Sequence, residues 1–402
     1  MNRLLSQLQP YPFERLAALK AGISPADKPA IMLSIGEPKH APPPFVLHSL
    51  AGHLDRISFY PKTLGNDALR QAIAGWLERR FALAAGSVSA ERQVLPLNGT
   101  REGIFAFVQA AVSASASASV IMPNPFYQIY EGAALLAGAT PVFVNCTADN
   151  GYRPDFSQLS EQQWRDCQLL IICSPGNPTG AVMSLEDMQA LIRLADRYDF
   201  IIASDECYSE IYHDEDNPPP GLLQACAAMG RDDFRRCVVF HSLSKRSNLP
   251  GLRSGFIAGD SELIQPFLLY RTYHGCAMAE PTQIASTLAW QDEQHVIDNR
   301  ALYRRKFRQV LDVLDGCLNV AMPPAAFYLW PQLPDDDERF CQALYAAQNV
   351  TALPGQYLSR QANGTNPGQN HARLALVATE AECLDAAQRI RQFVLQQYPG
   401  GT

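Results

Sequence analysis

The sequence is poor in charge and poorer still in basic charge. Charged residues make up 18%, with 33 Lys and Arg against 40 Asp and Glu, a net of −7. An acidic chain of this kind is not built to hold nucleic acid or an anionic membrane, although a pocket for a small anion needs only a few local cations. Low charge combined with 47% apolar residues also excludes a disordered or coiled-coil protein. No apolar run reaches the roughly 18 residues of a membrane span. The longest candidate, Phe105 to Met122, is diluted by Gln109 and by serines at 113, 115, 117 and 119. The first residues, MNRLLSQLQPYPFERL, lack an apolar core and a small-residue cleavage site, so export is not expected and a cytoplasmic location is. The ten cysteines run from Cys146 to Cys383 without a CxxC pair, which reads as reduced thiols and not as a disulfide frame. GxGxxG, GxxxxGK, HExxH and GxSxG are all missing. His48 and His53 read as surface helix positions and no metal site is expected. The Asn98 and Asn363 sequons have no use in a cytoplasmic chain.

At roughly 150 residues per domain, 402 residues predict two domains. Short apolar runs punctuate the middle of the chain: Ser119–Met122, Pro141–Val144, Leu169–Cys173, Phe200–Ala203, Val238–His241 and Ser254–Ala258. They lack period-two alternation, as strands covered on both faces do. Amphipathic helices lie between them. Ser184 to Asp187 is a capping box, followed by Leu185, Met188, Leu191, Ile192 and Ala195 at helical spacing. Asp67 opens another helix marked by Leu69, Ile73, Trp76 and Leu77. Strands alternating with helices predict a mostly parallel sheet, with ligands at the carboxyl ends of its strands. After about residue 285 the texture changes to a long charged helix (Asp292–Leu314) and two short apolar stretches, Phe327–Trp330 and Leu374–Val377. The expected division is a large domain at 46–285 and a smaller α+β domain from 1–45 and 286–402. His213–Gly221 and Ser359–His371 read as surface loops, and the Ala/Ser alternation at 113–119 as a helix end and connector.

Polar residues follow the apolar runs in a set order. Ser174-Pro-Gly-Asn177-Pro-Thr-Gly180 follows one strand, Asp205-Glu-Cys-Tyr208 ends another, and Ser242-Leu-Ser-Lys245 ends a third, with Arg253 eight residues on. Singly, each is a turn, a cap or a solvated loop residue. Together they surround a lysine at a strand end, where desolvation can lower its pKa and leave a nucleophilic amine.

In this order the blocks resemble the class I and II aminotransferases, pyridoxal-phosphate enzymes of fold type I. The match begins at Ser34-Ile-Gly-Glu-Pro38 and continues through Tyr60-Pro, Asn98-Gly-Thr100, Asn124-Pro-Phe-Tyr127 and the three blocks above to Arg253 and Arg373-Leu. Gln9-Pro-Tyr-Pro-Phe-Glu-Arg15, Ser34 to His40, Tyr273-His-Gly-Cys-Ala-Met278 and Leu353-Pro-Gly-Gln-Tyr357 are similar to bacterial succinyldiaminopimelate aminotransferases. The resemblance implies a seven-stranded, mostly parallel α/β large domain beside the smaller one.

It also implies roles. Lys245 resembles the lysine that bonds the cofactor aldehyde and later moves a proton. Asp205 resembles the partner of the pyridine nitrogen. A charge pair at about 4 Å in an effective dielectric near 20 is worth about 4 kcal/mol, roughly three pKa units, enough to keep that nitrogen protonated. Tyr208 and Asn177 resemble donors to the ring oxygen, and Tyr127 the residue stacked on the ring. Gly99, Thr100 and Arg101 resemble a phosphate-binding helix start, joined by Ser242, Ser244 and Arg253. Tyr60 resembles the residue that serves the phosphate of a neighbouring subunit, which implies a homodimer with shared sites. Arg373 and Gly36 resemble the grip on the substrate α-carboxylate. Lys39 and Arg271 are the expected cations for distal carboxylates. Arg101 stands where the family usually has a small residue, which makes it a possible substrate contact too. The implied reaction moves an amino group between glutamate and N-succinyl-L,L-2,6-diaminopimelate in lysine biosynthesis. Its rivals are an aromatic or broad-specificity aminotransferase and a C–S lyase of the same fold. A regulator's sensor domain is disfavoured, because the first family block starts at residue 34 and no basic DNA-binding face is present.

Overall fold

The apolar runs lack alternation because both sheet faces are buried. Along one strand, Leu169 and Ile171 enter one core while Leu170 and Ile172 enter the other. The computed structural model, which describes residues 1–399, joins seven strands into one sheet. In chain order they are β1 (Val94–Leu97), β2 (Ser119–Asn124), β3 (Thr140–Asn145), β4 (Cys167–Cys173), β5 (Ile201–Asp205), β6 (Cys237–Ser242) and β7 (Gly255–Gly259). The spatial order is β1-β7-β6-β5-β4-β2-β3. All neighbours are parallel except β7, which runs antiparallel to both β1 and β6.

Helices cover the two faces. On one side lie α1 (Asp67–Arg80), α3 (Leu185–Tyr198) and α5 (Glu280–Gln291), bringing Trp76, Leu191 and Trp290 against the strands. On the other lie α2 (Thr100–Ala111) and α4 (Ser261–His274), bringing Phe107 and Phe267. The predicted capping box at Ser184 forms, its hydroxyl accepting from the Asp187 N–H.

A second core gathers α6 (Gln294–Leu314) and α7 (Glu380–Gln397) around Phe307, Leu314, Ile390 and Phe393. It carries a three-stranded antiparallel sheet, Leu353–Pro354, Ala372–Ala375 and Tyr328–Leu329 in that order. The N-terminal segment joins it, Ile31–Met32 pairing in parallel with Val350–Thr351. Ala289 and Trp290 pack with the large sheet's core. Thus α5 packs with the large sheet and α6 with the second core. Among the described residues, no helix is long and apolar enough to cross a membrane.

The topology collects strand ends on one edge. β2, β4, β5 and β6 all deliver their carboxyl ends there, and antiparallel β7 contributes the residues just before its start, including Arg253. Such an edge is where open α/β sheets bind ligands.

Candidate active site

A cavity of about 580 Å³ opens at this edge, between the large sheet and the second core. Its lining includes Gly36, Thr100, Arg101, Tyr127, Asn177, Asp205, Tyr208, Ser242, Ser244, Lys245, Arg253 and Arg373, residues that lie hundreds of positions apart in sequence.

Lys245 sits in a one-turn helix (Leu243–Arg246) directly after β6. Its amine donates to the Gly36 carbonyl and lies 5.2 Å from the centre of the Phe327 ring. Removal from water lowers its pKa from 10.5 to about 8, helped by nearby Arg373 and Arg253 and opposed by Glu37. The lysine is thus poised near neutrality. Asp205 ends β5 and is buried, and burial raises its pKa. It accepts from the Tyr130 hydroxyl at 2.6 Å and from the Cys207 N–H at 3.3 Å. Among the described residues it has no salt-bridge partner, so a cation is what this carboxylate lacks.

Donors that suit a phosphate cluster beside Lys245. Gly99 caps α2 at φ 90°, and a side chain there would run into the Arg253 guanidinium. The free N–H groups at the start of α2 and its dipole favour an anion. The Ser242 hydroxyl accepts from the Ser244 N–H at 3.1 Å and donates to the Ser244 hydroxyl at 2.9 Å. Arg253 donates to the Pro250 and Asn98 carbonyls.

Arg373, in the strand Ala372–Ala375, is buried. It donates to the Ser34 carbonyl at 2.7 Å and to Asn177 Oδ1 at 3.1 Å, and it lies over the Tyr328 ring. Its Nε is buried without a partner. An orphaned donor on a fixed guanidinium is suited to a carboxylate. A side chain at Gly36 would collide with the Tyr328 phenol, so only glycine keeps this approach open.

This donor set matches one family. The profile of "Aminotransferase class I and II" fits residues 28–390. The chain belongs to the class I and II aminotransferases. An aminotransferase from Neisseria meningitidis has 48% identity, a TM-score of 0.94, and coverage of 98% of this chain and 100% of that one. The LL-diaminopimelate aminotransferase of Nitratidesulfovibrio vulgaris is 30% identical over 395 residues, 97% of this chain and 98% of that protein. A Thermus thermophilus structure described as a probable N-succinyldiaminopimelate aminotransferase has 26% identity and a TM-score of 0.83, covering 95% of this chain and 100% of that one. The aminotransferase fold and its dependence on pyridoxal phosphate, both expected from the motifs, are thereby established.

Two expected substrate cations, Arg271 and Lys39, lie outside this chain's cavity lining. Arg271 is 1% exposed, and its guanidinium is committed to Glu102 and to the Cys276 carbonyl. It ties the end of α4 to the start of α2 and offers no free charge. Lys39 is exposed, outside the cavity lining, and near Glu382 on α7. Tyr60 is fully exposed in the loop ahead of α1 and lies outside this chain's own cavity. Arg101 divides its roles: its backbone is in the first turn of α2, while its side chain turns away to Tyr127 and Tyr11.

Four cavity residues escaped the sequence reading. Tyr130 lies three positions after Tyr127, the spacing that places residues on one face at a helix start. Tyr328 sits within the short stretch Phe327–Trp330, its hydroxyl 2.8 Å from that of Tyr208. Tyr11 and Glu37 belong to blocks whose resemblance was visible without any chemical reason for those two members.

Proposed function

We propose that this aminotransferase exchanges an amino group between glutamate and a diaminopimelate-type substrate, with N-succinyl-L,L-2,6-diaminopimelate as the amino donor or product. The observation that carries the catalytic assignment is the convergence of Lys245, Asp205 and Arg373 on one cavity. Pyridoxal phosphate, when bound, supplies an aldehyde for the migrating amino group and an electron-withdrawing ring. The donor set fits it. Ser242, Ser244, Arg253 and the backbone at Gly99 to Arg101 would hold the phosphate. Asp205 keeps the ring nitrogen protonated, and the low-dielectric surroundings that raise its pKa when alone strengthen its pairing with a cation. Tyr208 and Asn177 would donate to the ring oxygen, and Tyr127 would pack beside the ring.

Arg373, which lines the cavity, would grip the substrate α-carboxylate, and Gly36 leaves room for it. That grip orients the Cα–H toward Lys245. Lys245, whose amine burial lowers to about 8 in the empty cleft, is the group placed to take up the Cα proton. Two identical molecules would complete each other's sites through Tyr60.

The substrate assignment draws on the sequence blocks and on the names of two relatives. One of those names points to free L,L-diaminopimelate, which is the second reading. A steady-state screen decides between them: purified enzyme, glutamate as donor, and a panel of 2-oxo acids, with the reverse direction run on succinylated and free L,L-diaminopimelate. A higher kcat/KM for the succinylated compound supports the proposal. A preference for free diaminopimelate selects the second reading, and a preference for aromatic or branched amino acids overturns both.

A further inference from the structure

The three residues that follow Lys245 stand outside the cavity lining, and all three bind the start of α6. Arg246 donates to Glu293 Oε1 at 2.5 Å, to the Asp292 carbonyl at 3.1 Å and to the Ala289 carbonyl at 2.7 Å. Asp292 holds Nδ1 of His295, which leaves Nε2 to accept from the Ser247 hydroxyl at 2.8 Å. Asn248 donates to Asn299 Oδ1 at 3.0 Å. The turn that carries the lysine is thus fastened to the joint at which α5 gives way to α6.

Arg246 carries most of this fastening. It is 2% exposed, and its guanidinium carbon lies 5.6 Å from the centre of the Trp76 ring and 5.0 Å from that of Trp290. Burial lowers its pKa against the pull of Glu293 and Glu210, and its Nε is left without a partner. A buried ion pair is a poor device for stability, since apolar residues of similar volume often serve as well or better. Its neighbourhood suggests another use. A helix of one turn has no stability of its own, so Leu243–Arg246 takes its place from whatever its side chains hold. Arg246 also faces different charges from its neighbour: the Lys245 amine meets Arg373, Arg253, Glu37 and the Cys207 thiol, whereas Arg246 meets Glu293, Glu210 and Asp292. Its route to the amine is therefore the backbone they share.

We propose that Arg246 is a positioning residue for Lys245, which by tying the one-turn helix to Glu293 and to carbonyls at the end of α5 keeps the amine in its water-poor place in the cavity. Ser247 with His295 and Asn248 with Asn299 are the lesser ties. The inference rests on Lys245 being the reactive amine of the reaction proposed above.

Arg246→Met keeps apolar contact with both indoles and removes every tie, while Arg246→Lys retains the charge and one donor group. The first measurement uses the cofactor-free protein. Pulse acetylation of Lys245 by acetic anhydride at pH values from about 6 to 11, quantified by peptide mass spectrometry, gives the titration midpoint of the amine. The wild type should titrate at about 8. In Arg246→Met, water reaches the amine and the midpoint should rise to about 9, with Arg246→Lys between the two. Glu293→Gln should move it in the same direction by less, and add nothing further to Arg246→Met. In the cofactor-loaded enzyme, Arg246→Met should lower kcat roughly tenfold with KM for glutamate changed less than about twofold, because the misplaced group is the amine and not Arg373. A role in stability alone would lower the urea midpoint and leave the Lys245 titration where it stands in the wild type, and that result overturns the proposal. Should Arg246→Met not fold, Arg246→Lys and Glu293→Gln make the same comparison. Turnover retained by Lys245→Ala would remove the reaction assigned to the lysine without altering the titration result, so the two readings fail separately.

Discussion

Replacing Lys245 by methionine should make the cofactor-free protein more stable, and only at pH values where the lysine is charged in the unfolded chain. The fold lowers this amine from 10.5 to about 8 by taking it out of water. At about 1.4 kcal/mol per pKa unit, holding the charge in the folded cleft at pH 6.5 costs about 3 kcal/mol. Methionine keeps the apolar stem and removes the charge. It also removes the hydrogen bond to the Gly36 carbonyl, worth about 1 kcal/mol, which leaves a net gain of about 2 kcal/mol. The pH dependence identifies the cause. Between pH 8 and 10.5 the unfolded lysine holds more proton than the folded one, so wild-type stability rises with pH through that window. The advantage of the variant is full below pH 8 and by pH 10.5 has reversed to a deficit of about 1 kcal/mol, that of the lost hydrogen bond. Lys306, lowered to about 8 by burial, has the same sign but is present in both proteins and cancels. Urea denaturation of both cofactor-free proteins at several pH values between 6.5 and 10 measures the difference. A difference that does not change with pH, or a variant less stable at pH 6.5, would refute the reasoning.

Asp205→Asn should retain bound cofactor through the phosphate cradle yet lose roughly a thousandfold in turnover, the equivalent of about 4 kcal/mol of lost charge pairing; a loss under tenfold with full cofactor occupancy contradicts its role. Arg271→Met leaves Glu102 unpaired beside a buried site and should destabilise the fold by about 3–5 kcal/mol, whereas adding Glu102→Gln should recover part of it. Chemical denaturation of the single and double variants checks this, and equal losses would show that the pair is not coupled. Mixing inactive Tyr60→Ala and Lys245→Ala chains under subunit exchange should restore one complete site per heterodimer. No recovery despite verified exchange would exclude sharing of Tyr60 between chains.

Much of this was legible in the sequence, for reasons that differ by element. Six strands were found because both-face burial leaves uninterrupted apolar runs. The seventh, β1, was not, since Pro96 reads as a strand breaker. At the sheet's edge it is tolerated, because β1 needs only β7 as a partner. The antiparallel direction of β7 was equally hidden: the twelve residues between β6 and β7 hold only one helical turn and a 3-10 turn, too little for a crossover helix. Motif residues such as Lys245, Asp205 and Arg373 were legible through their local blocks. Whether a cation is free was not, because that depends on partners distant in sequence. Arg271 is neutralised by Glu102, 169 positions away, while Arg101 is held by the Tyr127 and Tyr11 hydroxyls.

The hydrogen bond from Arg373 to the Ser34 carbonyl spans 339 positions and also fixes an order of assembly during synthesis. All the residues of the proposed phosphate cradle, from Gly99 to Arg253, have left the ribosome before Arg373, the proposed grip on the substrate, is translated. β1 waits at the sheet's margin until β7 appears, whereupon the cradle can close. The N-terminal segment waits longer, with Ile31 and Leu33 uncovered until Val350–Thr351 emerges to pair with it. On the proposed roles, the newborn enzyme acquires its two binding functions in succession, and a chain halted short of Arg373 would own a seat for its cofactor and no hold on its substrate.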